Sequence, residues 1–144
     1  MSEANKALVR RFVDEFWSAG NLAAADELVA PDAAIALPTG ERVDREGLKA
    51  FAAAWRGAFP DWRSTAEELV AEGERVAERW TGRGTHRGAL PGVPGLAPTG
   101  TRVVAPGAVF YRIVGGWITE FRGQFDRMGL LQQLGALAAP AGTR

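Results

Sequence analysis

The hydrophobic pattern of this chain turns from mainly helical to mainly strand-like near Pro60, and no other feature narrows the choice of fold as much. Before that point apolar residues recur at three- and four-residue spacing, so Leu8, Val9, Phe12, Val13, Phe16 and Trp17 form one broad helical face. Gly20 supplies a stop, and Asn21 is positioned to cap a second short helix running to Leu28 and Val29. Pro31 and Asp32 are expected to break the chain, leaving Ala33 to Leu37 as a short strand candidate. Pro38-Thr39-Gly40 reads as a turn, and Asp44 as the cap of a third helix. The Leu48, Phe51, Ala52 and Trp55 side chains of that helix share one face, and it ends near Phe59-Pro60.

Beyond Pro60 the texture is that of half-buried strands: Trp62 to Val70, Glu74 to Thr85, Thr101 to Val114 and Trp117 to Phe125. Gly73 separates the first two. Gly115-Gly116 lies between the last two at two-residue hairpin length, and both glycines accept positive φ, so these strands are expected to pair antiparallel. Arg87 to Gly100 carries Pro91, Pro94 and Pro98 among four glycines, which excludes a ladder strand and makes the segment a loop. Met128, Leu130, Leu131 and Leu134 mark a last short helix stopped at Gly135. The expectation is an α+β fold, with N-terminal helices packed on a strongly bent, mainly antiparallel sheet that wraps a pocket. Residues 1–136 are read as a single domain and 137–144 as a flexible C-terminal tail.

Charge and composition exclude several function classes. Lysine plus arginine (17) balances aspartate plus glutamate (17), so nothing concentrates phosphates and no nucleic-acid partner is expected. Cysteine is absent and histidine occurs once, as His86, so no metal and no cofactor is expected. Met1 to Arg11 is polar and charged and no stretch approaches the length of a membrane span, so no membrane association and a cytoplasmic location are expected. The hydrophobic fraction of 47% includes a generous aromatic supply for one small domain. Most of it must be core, with Trp55, Trp80 and Phe110 the candidates to line a pocket for a small apolar or aromatic ligand.

Several stretches taken in order resemble the SnoaL-like polyketide cyclases, a branch of the nuclear transport factor 2-like superfamily. They are Phe59-Pro60-Asp61-Trp62, Ala71-Glu72-Gly73-Glu74-Arg75-Val76, Arg79-Trp80-Thr81-Gly82, Gly84-Thr85-His86-Arg87-Gly88 and Pro98-Thr99-Gly100. Phe125-Asp126 and Gly129-Leu130-Leu131-Gln132-Gln133-Leu134-Gly135 complete the set. The resemblance implies a cone-shaped α+β barrel that dimerises through its sheet, as a homodimer or dimer of dimers. It also implies intramolecular aldol ring closure on aromatic polyketide intermediates, with Asp126 in the place of the acid/base aspartate and His86 in a recurring motif. The same fold serves hydroxylation, isomerisation, dehydration, epoxide hydrolysis and plain ligand binding.

The residues themselves leave two readings open at each position. Asp126 can be a proton-transferring carboxylate at the pocket mouth or the cap that the last helix needs. His86 can shuttle a proton or serve as a loop hydrogen-bonder. Glu120, Arg122, Gln124 and Asp126 alternate onto one face of the last strand. Facing inward, Arg122 and Gln124 would bind a substrate oxygen; facing outward, they are solvated or part of a dimer sheet face.

Overall fold

The structure is a computed structural model in which residues 2–137 are described; of the expected tail, residues 138–144 lie outside it. Helix α1 (Ser2–Phe12) buries Val9 and Phe12 and then widens into a π-helix over Val13–Ser18. The i→i+5 bond from the Ala19 N–H to the Asp14 carbonyl, 2.9 Å, marks the wider winding. Fewer degrees per residue bring Trp17 round toward the side where Phe12 and Phe16 stack, its ring meeting Phe16 edge-on at 4.9 Å.

Three local expectations need correction here. Helix α2 is only Ala24–Leu28, and Asn21 does not cap it: the chain already turns at Asn21, whose carbonyl accepts the Ala24 N–H at 3.1 Å. Pro31 and Asp32 do not break the chain, because β1 (Val29–Ala36) runs through them. The register of β1 slips between Val29 and Ala34, and this bulge accommodates a proline with no N–H to give the ladder. A two-residue strand, β2 (Arg42–Val43), pairs with β1 after the Pro38-Thr39-Gly40 turn and had no signal in the sequence.

Helix α3 (Arg45–Ala58) begins as expected, with the Asp44 carboxylate accepting the Gly47 N–H at 3.0 Å, and it buries Leu48, Ala52, Trp55 and Ala58. Four long strands follow: β3 (Arg63–Glu72), β4 (Arg75–Thr85), β5 (Arg102–Val114) and β6 (Trp117–Phe125). They form antiparallel neighbours in one curled six-stranded sheet of order β2-β1-β6-β5-β4-β3, in which only the β1–β6 pair is parallel. Gly115 and Gly116 both take positive φ (59° and 83°), the geometry a two-residue hairpin turn requires. Helix α4 (Arg127–Gln133) closes the description, and no described helix is long and apolar enough to cross a membrane.

Strict alternation sends Val76, Glu78, Gly82 and Gly84 of β4 inward while Arg75, Arg79 and Arg83 face out. Two buried clusters result. One joins Phe12, Phe16, Ile35, Tyr111 and Phe121; the other joins Trp55, Phe59, Trp62, Leu90 and Leu130. Phe51 and Trp80 pack against both, and the pocket opens where they do.

Candidate active site

The strands make room for aromatic rings by giving up side chains. A Cβ added to Gly82 would meet the Trp62 indole, and one added to Gly107 would meet the Trp80 indole, so each glycine lets a ring lie against the sheet. Trp62 in turn stands edge-on to Trp55 at 5.2 Å, and Trp55 to Phe125 at 5.5 Å. With Trp17 and Phe51 these rings wall an apolar chamber of about 560 Å³, counting the open solvent at its mouth.

Polar atoms are scarce in this chamber, and the one ionisable group on its wall is Glu78. Glu78 sits on the inward face of β4 between Leu69 of β3 and Val109 of β5, and only 3% of it is exposed. One carboxyl oxygen accepts the Tyr111 hydroxyl at 2.7 Å; the other has no hydrogen-bond partner among the described residues. Tyr111 reaches it diagonally, since its own opposite residue on β4 is Val76. Burial pushes the Glu78 carboxyl from 4.5 up to about 7, and the Tyr111 hydrogen bond opposes the rise. The Tyr111 hydroxyl is raised well above its usual 10, first by burial and then by the charge of Glu78, so it stays protonated and holds the carboxyl in place. A carboxyl poised between its two forms at neutral pH can both take and return a proton. Ser64, also on the wall, accepts the Trp62 Nε1–H at 2.9 Å and keeps its own hydroxyl proton to donate.

The structure distributes the residues singled out from sequence over several places. Trp55 and Trp80 line the chamber, and Gln124 touches its rim while remaining largely exposed. Phe110 and Arg122 do not reach it. They face each other across the β5–β6 ladder on the outer surface, Phe110 61% exposed, because alternation from Val109 and Phe121 turns both away. Asp126 is exposed and accepts the Gly129 N–H at 2.9 Å, capping α4 and contributing nothing to the chamber wall. His86 is fully buried beside Phe59, outside the chamber lining. Its Nδ1 accepts the Thr99 N–H at 3.1 Å, which places the ring proton on Nε2, and its backbone bonds to Gly100 and Thr101 pin the end of the loop. Among the described residues no group of three histidine, cysteine, aspartate or glutamate side chains is gathered to hold a metal.

Sequence reasoning missed Glu78, Tyr111, Trp17, Trp62 and Ser64. A signal for Glu78 existed. Val76, Glu78, Trp80 and Gly82 occupy alternate positions of one strand, so a carboxylate stood on a face that was otherwise apolar.

The sequence model of the SnoaL-like polyketide cyclases matches residues 7–134. No curated protein matches the chain. Among solved structures it is similar to AclR from Streptomyces galilaeus, assigned as a hydroxylase, with 27% identity, 98% of this chain and 91% of that one covered, and a TM-score of 0.85. It is similar also to IdmH from Streptomyces antibioticus, assigned as a polyketide cyclase, with 31% identity, 91% and 98% coverage and a TM-score of 0.80. A third, from Acidithiobacillus ferrooxidans and likewise assigned as a polyketide cyclase, shows 31% identity, 94% and 96% coverage and a TM-score of 0.79.

Proposed function

This chain belongs to the SnoaL-like polyketide cyclase family, and from that premise we propose that it closes a ring on an apolar polycyclic substrate by acid/base catalysis, with Glu78 as the proton-transferring group. The observation that carries this reading is a carboxyl group buried in an aromatic chamber and poised near pH 7. The substrate stacks among Trp55, Trp62 and Trp80 with the carbon next to a carbonyl at the free oxygen of Glu78. The Glu78 carboxylate takes a proton from that carbon, and the Ser64 hydroxyl donates to the enolate oxygen that forms. The enolate carbon attacks a second carbonyl of the same molecule, making the ring bond, and the resulting alkoxide recovers the proton from Glu78. The proton count closes without a cofactor. We place this work in the cytoplasm and assign it to residues 1–136 as one domain.

Glu78→Gln keeps the shape and the Tyr111 hydrogen bond but removes the base. It should bind aromatic ligands, read by quenching of tryptophan fluorescence, and lose turnover about a hundred- to ten-thousand-fold. Wild-type kcat/KM should rise with pH through about 7, as the carboxylate forms. Asp126→Asn, which retains a good helix cap, should turn over normally. Normal turnover by Glu78→Gln together with collapse in Asp126→Asn would return the chemistry to Asp126.

A further inference from the structure

A second, smaller hollow, about 270 Å³ counting the open solvent at its mouth, lies between the Gly/Pro loop and α4 and is lined by Leu90, Thr39 and Arg127 among others. Phe51, Trp55 and Phe125 border both this hollow and the chamber, so the two spaces adjoin across those three rings. The two spaces differ in charge. The chamber offers Glu78 and no cation, whereas the hollow offers the Arg127 guanidinium and no carboxylate.

Arg127 is poorly committed within the protein. Its hydrogen bond to the Gly92 carbonyl is long, 3.4 Å, and no described carboxylate lies within ion-pair distance of it. Its neighbour Asp126 is turned to the Gly129 N–H. Gly92 lets the guanidinium lie close over the loop, since an added Cβ there would stand 2.9 Å from Nη2. Thr39, also on the wall of the hollow, accepts the Glu41 N–H at 3.4 Å and retains a hydroxyl proton to donate. A planar fork of N–H donors with a hydroxyl on the same wall suits a carboxylate, and a negative group would be repelled from the Glu78 chamber once that residue is ionised.

We propose that this hollow is a second subsite, in which Arg127 and Thr39 bind the carboxylate of a substrate whose rings fill the chamber. The substrate class is then a polycyclic carboxylic acid, held by its acid end so that the far rings present to Glu78. The assignment rests on the chamber being the substrate site. Arg127 acts here as a positioning residue.

The test uses an anthraquinone carboxylate and its methyl ester, two probes of the same ring system that differ in charge, with binding followed by tryptophan fluorescence. Arg127→Gln should weaken the acid about tenfold or more and leave the ester within about twofold, the range for loss of a charge-assisted pair. Melting curves establish that the variant is folded. If both probes bind the wild type and the variant loses no more of the acid than of the ester, the subsite is wrong and the chamber stands. If neither probe quenches the wild type, the chamber reading falls and takes the subsite with it.

Discussion

Glu78 is a carboxyl group that the folded protein would rather keep protonated. Its raised pKa means that between about 4.5 and 7 the native state holds a proton the unfolded chain has lost, so stability declines as pH rises through that window. The full contribution is present below the unfolded value and is gone above the folded one, a difference of about 3 kcal/mol. Glu78→Gln carries no charge at any pH. It should therefore melt higher than wild type near pH 8, with the gap closing toward about pH 5. Melting temperatures of both proteins across that range decide the matter, and a gap independent of pH would show that Glu78 is not ionised at a cost. At this scale the sequence was legible where a residue served its own neighbourhood. Asp44 and Asp126 were readable as caps because the helix that each serves begins within three residues. Glu78 showed in the sequence only as a carboxylate on an apolar strand face, since its role depends on Leu69, Val109 and Tyr111, which arrive from two other strands.

Strands and helices in this protein differ in what a glycine is for. Gly107 lies on β5 with its missing side chain facing the Trp80 ring and the Gln124 carbonyl, so a methyl group has nowhere to go. Gly57 lies on α3 with nothing within 4 Å of where its Cβ would be. Gly107→Ala should thus cost about 1–3 kcal/mol and weaken aromatic ligand binding as Trp80 is pushed into the chamber. Gly57→Ala should gain about 0.5–1 kcal/mol through helix propensity alone. Thermal melts of the pair give the contrast, and similar shifts of the same sign would refute it. Strand boundaries were readable to within a few residues wherever alternation ran unbroken, as in β6, read and found at Trp117–Phe125. They failed at β1, where Pro31-Asp32 carries the local signature of a break and the bulge that absorbs it is set by β6, far along the chain. The two-residue β2 is too short to carry a period at all.

The outer surface of the sheet is charged, and one apolar stripe crosses it between the Arg75–Arg112 row and the Glu68–Arg79 pair, ending beside Arg122. Val70, Ala77 and Phe110 follow one another across three strands, with Val70 62% and Phe110 61% exposed. Two copies packed back to back through this face would cover that stripe, and a dimer is the expected state in solution. Phe110→Glu should then release monomers with chamber and fold intact, as read by light scattering at micromolar concentration. A wild type that is monomeric under those conditions would overturn the expectation. The overall architecture was legible because the main change from helical to strand periodicity falls at one place, whereas the joining of β1 to β6 was not, as no short-range pattern reports a parallel pair. That pair has a consequence for how the chain comes into being. β1 leaves the ribosome well before the strand it must lie against, since α3, β3, β4 and β5 are all made between β1 and β6. Until β6 emerges β1 has only the stub of β2 for company, its other edge unpaired, and the nascent chain carries a bare strand while α3 and three further strands are made.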